Sequence, residues 1–314
     1  MLSEVKVGHY TDEDAITGCT VILIPEEGAV CGVDVRGGAP GTRETDLLDP
    51  TCMVERVNAI CISGGSAFGL AVADGVMKYL EEKNIGFETP HGKVPIVPAA
   101  ILFDLNIGNN KIRPGKEEGY KACQNASSLG FEVGSVGAGT GATVGKVFGN
   151  SFMMKSGVGR ATLNLSGGIE IFTLAVVSSF GDIINKDNSI LAGAYHPKGG
   201  FLNSKSLILE GREIKSEFGE STTIVVIITN VLLDKASVTK VAQMAHDGLA
   251  RAISPVHTEY DGDITFALSI GKKKAPTVVI GTAVVEATAK AIRNAVIEAK
   301  SLGGVRDISQ ISIK

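Results

Sequence analysis

The sequence predicts an α+β protein, and three observations carry that reading. The first is Gly219-Glu220-Ser221-Thr222-Thr223-Ile224-Val225-Val226-Ile227-Ile228-Thr229-Asn230, where a polar approach switches to an almost unbroken β-branched run. Such side chains are stiff at χ1 and suit a pleated surface, so the run reads as a strand buried on both faces with hydroxyls at its mouth. The second is that similar short apolar runs share the chain with two segments of helical periodicity, Ala236 to Ile253 and Thr277 to Lys300. The third is composition: 39 glycines, no tryptophan and 5% aromatics call for a core of small aliphatic side chains with many tight turns.

Taken in order, Val21 to Ile24 and Cys31 to Val35 read as strands joined by the turn Pro25-Glu26-Glu27-Gly28. Gly37 to Asp46 is too rich in Gly and Pro to be either element and reads as a connector or a site lining. Val57 to Ile62 is a third strand, running through Ser63-Gly64-Gly65-Ser66 into a helix that continues to Glu82. A strand–glycine turn–helix junction either offers backbone N–H groups to an anion or allows close helix–sheet packing. Pro95 and Pro98 make Val94 to Leu105 an edge strand or an extended buried loop. Gly115 to Leu129 reads as a helix ending at Gly130.

Gly134 to Lys146 is the most glycine-dense stretch. It fails as a phosphate loop, because Thr140 stands where the first glycine belongs and Val147 where Ser or Thr belongs. A glycine loop ending in Lys146 suits a pocket of backbone donors with one positive charge. Ile169 to Ser179 is another strand, and Lys198 to Glu220 is polar and reads as an exposed linker open to cleavage. In the helix after the Thr222 strand, His246 reads as structural. Asp261-Gly262-Asp263 leads into the strand Ile264 to Ile270; extended backbone turns residues i and i+2 to one side, so the carboxylates converge. A calcium loop would need a late glutamate that is missing.

The chain has 314 residues, 44% hydrophobic and 20% charged, with net charge −4. That is a globular composition with no basic stripe, so no nucleic-acid partner is expected. The start Met1 to Lys6 lacks a signal-peptide layout, no apolar run approaches membrane-spanning length, and five scattered cysteines without CxxC read as buried reduced thiols. A cytoplasmic protein without membrane contact, metal or cofactor is the expectation.

The chemistry gathers at Thr222. If the Ser221–Thr222 bond were cut, Thr222 would carry a free α-amine beside its own Oγ. An α-amine has a pKa near 7.7–8.0, so a useful fraction is neutral and acts as base for that hydroxyl. Left uncut, the same residues are an ordinary strand start.

Together, Val7-Gly8-His9-Tyr10, Ser63 to Leu70, Val94-Pro95-Ile96-Val97-Pro98-Ala99, Gly137 to Lys146, and His257-Thr258 with Asp261-Gly262-Asp263 resemble the L-aminopeptidase/D-esterase family. That family includes the β-peptidyl aminopeptidases and, closest in motifs, the endo-type 6-aminohexanoate-oligomer (nylon oligomer) hydrolase. The resemblance implies a four-layer αββα sandwich of the N-terminal-nucleophile-hydrolase type formed by residues 1–314 as one domain. It implies self-cleavage into 1–221 and 222–314, with Thr222 as nucleophile surrounded by Asp261, Asp263, Lys146 and Ser178. It implies Gly64, Gly65, Ser66, Gly139 and Thr140 as substrate-binding residues, a small peptide or oligoamide as substrate, and a homo-oligomer, a tetramer of α/β pairs. Two positions depart from the family pattern: Ser178 stands where relatives place an Asn that donates near the reacting carbonyl, and Ser221 where they carry Asn or Gly. Acyl transfer by the same fold type, as in ornithine acetyltransferases, and an uncut ligand-binding protein are the competing readings.

Overall fold

The computed structural model describes residues 2–128, 131–215 and 221–311. The polar approach Gly219-Glu220 and the helix end expected at Leu129-Gly130 lie outside the described residues.

Two sheets lie face to face. The six-stranded sheet runs Val158–Leu165, Ile169–Ser178, Thr222–Val231, Ile264–Lys273, Ala29–Val35, Arg56–Val57, so the Thr222 strand is interior. It pairs antiparallel with Ile169–Ser178, Ser178 opposite Thr222, and parallel with Ile264–Lys273. The five-stranded sheet runs Lys6–Asp12, Thr17–Leu23, Ala59–Ser63, Ala99–Ile101, Thr42–Arg43.

Strand alternation divides the core. Ile224, Val226 and Ile228 join Leu174, Val176, Ile264 and Phe266 in packing against Ile22, Ile60, Ile62 and Leu102 of the facing sheet. Val225 and Ile227 point the other way, onto Val238, Val241 and Leu249 of the helix Lys235–Ala250 and Ile280, Val284 and Ala291 of Thr277–Ile297. A third cluster seats the helices Val72–Glu82 and Lys116–Gln124 on the outer face of the five-stranded sheet. Helix, sheet, sheet and helix thus make four layers, closed by small aliphatic side chains as the composition requires. Among the described residues no helix is long and apolar enough to cross a membrane.

Several expectations are corrected. The turn after Ile24 does not close a hairpin, because its two strands belong to different sheets. Val57 to Ile62 likewise breaks at Asn58, whose side chain accepts the Ile96 N–H, and crosses from one sheet to the other. Ala99–Ile101 is interior rather than an edge, with Pro95 and Pro98 left in the loop before it. The helix from Lys116 stops at Gln124. Lys198 to Glu220 is not uniformly an exposed linker: Ser204–Leu209 is a helix, Ser204 is buried against Asp182, and Arg212 lies over the Phe148 ring. Four cysteines are buried, but Cys52 is half-exposed. The strand Val158–Leu165 escaped the sequence reading because its glycine and arginine interrupt the apolar alternation.

Candidate active site

The Ser221–Thr222 peptide bond lies at the end of the central strand, with both residues buried. Its carbonyl oxygen accepts two hydrogen bonds, one from the Gly262 N–H at 2.8 Å and one from Thr222 Oγ1 at 2.7 Å. Thr222 lies on the same strand face as Ile224, toward the other sheet, whereas Thr223 faces the helix layer. A side-chain carbon at Gly262 would sit 2.7 Å from Thr222 Oγ1, so the close approach requires glycine there. The sequence reading named the aspartates on either side and missed Gly262. The Asp-Gly-Asp string contains it, but only the parallel pairing of Ser221 with Asp261 brings its N–H to this carbonyl.

The turn carrying Gly262 is held from behind. The N–H groups of Arg36 and Ala39 donate to the backbone carbonyls of Asp263 and Asp261, and that of Gly38 to Thr258. The glycine-rich loop from Gly37 is therefore a buttress for this turn.

Asp261 and Asp263 are both buried and are held by separate sets of donors. Asp261 accepts the Phe180 N–H at 3.2 Å and both the N–H and hydroxyl of Thr258, at 3.0 and 2.7 Å. Asp263 accepts the Thr223 N–H at 2.8 Å on one oxygen and His257 on the other. Burial, followed by the charge of Asp263, pushes the Asp261 carboxyl up to about 7. Among the described residues no hydrogen bond joins either carboxylate to Thr222. The nearest link is through the Thr223 N–H, one residue on.

Ser178, opposite Thr222 in the ladder, accepts the Lys146 ammonium at 2.8 Å, and both side chains are fully buried. The Gly145 and Lys146 N–H groups donate to the carbonyls of Gly181 and Phe180, which ties this loop to the end of the Ser178 strand. Thr222, Ser178 and Lys146 thus converge.

The expected substrate-binding glycines meet elsewhere. The strand–turn–helix junction does present an N–H to an anion, but the anion belongs to the protein: Gly65 donates to Asp104 Oδ1 at 2.7 Å, and Thr17 Oγ1 to Asp104 Oδ2 at 2.7 Å. A side-chain carbon at Gly64 would collide with that carboxylate. Ser66 follows with φ of 53°, its N–H donating to the Leu102 carbonyl. Across from them Lys155 donates to the carbonyls of Gly139, Ala142 and Ser156 at 3.0, 2.9 and 2.7 Å. Thr140 is buried and spends its hydroxyl on the Gly137 carbonyl. In this form of the chain the Gly65 and Ser66 N–H groups and the Thr140 hydroxyl are bonded within the protein. Sequence reasoning missed Asp104 and Lys155, which carry no local sign of burial.

Comparison with known structures fits this architecture. An L-aminopeptidase D-Ala-esterase/amidase from Ochrobactrum anthropi, described as a variant of the N-terminal-nucleophile hydrolase fold, superposes with a TM-score of 0.72 at 18% identity over 96% of this chain and 86% of that one. A β-aminopeptidase of Burkholderia sp. superposes with a TM-score of 0.68 at 20% identity, covering 98% of this chain and 90% of that one. The fold is that of the N-terminal-nucleophile hydrolases. Residues 2–309 match peptidase family S58, and the chain belongs to that family. An uncharacterized aminopeptidase of Mycobacterium leprae is 40% identical over 97% of this chain and 91% of its own. A 6-aminohexanoate-oligomer endohydrolase of Kocuria sp. is 31% identical over 87% of this chain and 75% of its own. The protein is accordingly an enzyme of the peptidase and amide-hydrolase class.

Proposed function

We propose that this chain is a self-processing amide hydrolase whose nucleophile is Thr222, first for its own Ser221–Thr222 bond and then for peptide or oligoamide substrates. The observation that carries the reading is the pair of contacts on one carbonyl oxygen: Thr222 Oγ1 at 2.7 Å and the Gly262 N–H at 2.8 Å.

In the first step Oγ adds to the Ser221 carbonyl carbon while the Gly262 N–H donates to the oxygen that becomes negative, the oxyanion role. The C–N bond breaks, the Thr222 nitrogen takes a proton and leaves as a free amine, and Ser221 is held as an ester on Oγ. Water hydrolyses that ester and releases the Ser221 carboxylate. Asp261, raised to about 7 by burial and paired with Ser221 in the ladder, would relay the proton in transit.

After the cut, the α-amine of Thr222 takes the hydroxyl proton as Oγ attacks a substrate amide and returns it to the leaving amine. Water then releases the acyl group. Lys146, 2.8 Å from Ser178, places positive charge beside the strand end where the new ammonium and the two carboxylates must balance. Ser178 provides a hydroxyl where an asparagine would provide an amide donor.

The test is intact mass and N-terminal sequencing of the purified protein. The expected products are 1–221 and 222–314, remaining associated because the Thr222 strand is interior to its sheet. Thr222→Ala should stay one chain and be inactive, and Thr222→Ser should be cut and keep part of the activity. A smaller fragment beginning at Ser221 or Thr223 would move the nucleophile, and full activity in Thr222→Ala would end the proposal.

A further inference from the structure

His257 lies behind Asp263. Its Nδ1 is 2.8 Å from Asp263 Oδ2, and its own backbone N–H donates to the same oxygen at 3.2 Å. The other oxygen of that carboxylate takes the Thr223 N–H at 2.8 Å. One buried carboxylate therefore joins His257 to the residue that follows Thr222. The backbone of His257 has φ of 57°, a left-handed conformation in which asparagine, aspartate and histidine are the commonest residues after glycine.

The carboxylate fixes the ring's tautomer. Nδ1 carries the proton toward Asp263, and Nε2 is left buried with no hydrogen-bond partner. The remaining titratable neighbours are accounted for. His246, on the helix Lys235–Ala250, meets the His257 ring edge-on at 4.7 Å. Burial holds His246 down to about 4, so it stays uncharged at neutral pH. Behind His246 stand Asp34, whose Oδ2 is 3.4 Å from His246 Nε2, and Arg36, paired with Asp34 at 2.8 Å. Asp261 is the other group that feels Asp263 directly. The donors to Asp263 are thus the Thr223 N–H and two N–H groups of His257.

We propose that His257 is a positioning residue: its two donors hold the Asp263 carboxylate aimed at the Thr223 N–H, so that Thr222 keeps its place against Gly262. Asp261 and Asp263 each take three donors, and burial together with the Asp263 charge raises Asp261, so taking a donor away from Asp263 raises the pH at which the pair gives up its proton. The inference rests on Thr222 being the nucleophile.

The experiment follows self-cleavage of freshly made full-length chain by denaturing gel and mass, from pH 5 to 9, in the wild type, His257→Asn and His257→Gly. Both substitutions tolerate the positive φ, so the backbone is not what separates them. Asparagine keeps a side-chain N–H near the position of Nδ1, and glycine removes it. His257→Asn should cut within about threefold of the wild-type rate with the same pH midpoint. His257→Gly should slow at least tenfold, with its midpoint moved to higher pH because the pair, short of a donor, holds its proton longer. If His257→Gly does not fold, as judged by circular dichroism, His257→Gln replaces it: its amide sits one carbon farther out, and slowing with a raised midpoint is expected. Wild-type rate and midpoint in His257→Gly or His257→Gln overturns the proposal. So does equal slowing of the Asn and Gly forms with an unmoved midpoint. Failure of the Thr222 reading looks different, since then the wild type is not cut there or Thr222→Ala is cut as well.

Discussion

Two clusters in this molecule are built from the same parts and differ in how completely those parts are used. At the ends of the five-stranded sheet, Asp104, Lys155, Thr17 and the glycines around them form a closed set. Each Asp104 oxygen has a donor, and the Lys155 ammonium has three carbonyl acceptors. Burial pushes Asp104 up to about 6 and Lys155 down to about 7, yet the Lys155 ammonium has its three acceptors within the protein and both Asp104 oxygens already accept. At the end of the six-stranded sheet, Thr222, Lys146, Ser178 and the Asp261–Asp263 pair also combine a hydroxyl, a lysine, carboxylates and glycine. There, among the described residues, the Ser221 hydroxyl and His257 Nε2 are buried without partners, and a peptide carbonyl is polarised by Gly262 and Thr222. A buried polar set that is satisfied stiffens a fold, whereas one that is unsatisfied is unstable in place and available for chemistry. The perturbed titration of Asp104 alone would have pointed to the closed cluster.

The contrast is sharpened most by the pH dependence of stability in the uncut Thr222→Ala protein. Asp261 is raised in the folded state to about 7 from an ordinary carboxylate value near 3.9, so the native chain holds a proton that the unfolded chain has lost. Its contribution is full below about pH 4 and is lost as pH rises toward 7, on the order of 4 kcal/mol at about 1.4 kcal/mol per unit. Denaturant unfolding of Thr222→Ala and of Thr222→Ala with Asp261→Ser should show their stability difference falling across that window. A difference that stays flat would mean Asp261 titrates as an exposed acid.

Lys155→Met tests the closed cluster. It leaves the Gly139, Ala142 and Ser156 carbonyls short of their shared donor, and a loss of about 3 kcal/mol is expected from stranding buried acceptors. The pH profile of self-cleavage should not move. A cleavage defect without a stability loss would place Lys155 in the reactive cluster instead.

The layers were legible because hydrophobic period is a local property. Ile224 to Ile228 reads as a strand in any context, and Val238, Val241 and Leu249 mark a helix face. What the sequence hid depends on long-range pairing. Asn58 looks like a strand residue until its neighbours are seen to pair with different sheets. Gly262 looks like a turn glycine until Ser221 lies beside Asp261. Lys155 is buried beyond any expectation for lysine because its three acceptors come from a loop sixteen and thirteen residues upstream and from its neighbour Ser156. Thr222, Lys146 and the aspartates were grouped through family resemblance as well as spacing. The spacing argument alone turned both carboxylates toward Thr222, whereas Asp263 bonds Thr223.

Ser178→Asn probes the open cluster more gently. An asparagine oxygen can still accept from Lys146, now 2.8 Å from the serine hydroxyl, while its amide N–H groups add a donor near the carbonyl under attack. Losing one such donor costs roughly 2.7–4 kcal/mol in other enzymes, so a gain of about tenfold in kcat on simple amides is a modest expectation. An unchanged or lower kcat would show that the Ser178 hydroxyl or another group already fills the role.

The smallest effect is expected at Thr223, and it separates the two faces of the reactive strand. Thr223 is as buried as Thr222 and has the same side chain, but its Oγ1 has no hydrogen-bond partner and faces the helices. What Asp263 holds is the Thr223 N–H, which any residue except proline supplies. Thr223→Ala therefore removes an unsatisfied hydroxyl together with one methyl group. The methyl costs about 1 kcal/mol of burial, and removing an unpaired buried hydroxyl returns part of that. Stability should change by less than about 1 kcal/mol, and cleavage after Ser221 should proceed near the wild-type rate. Thr223→Val, which keeps the shape and drops only the hydroxyl, should be neutral or slightly stabilising in the same assays. A strong cleavage defect in Thr223→Val would assign the Thr223 hydroxyl a role on the helix face that its geometry does not suggest, and would break the division of labour between the two threonines.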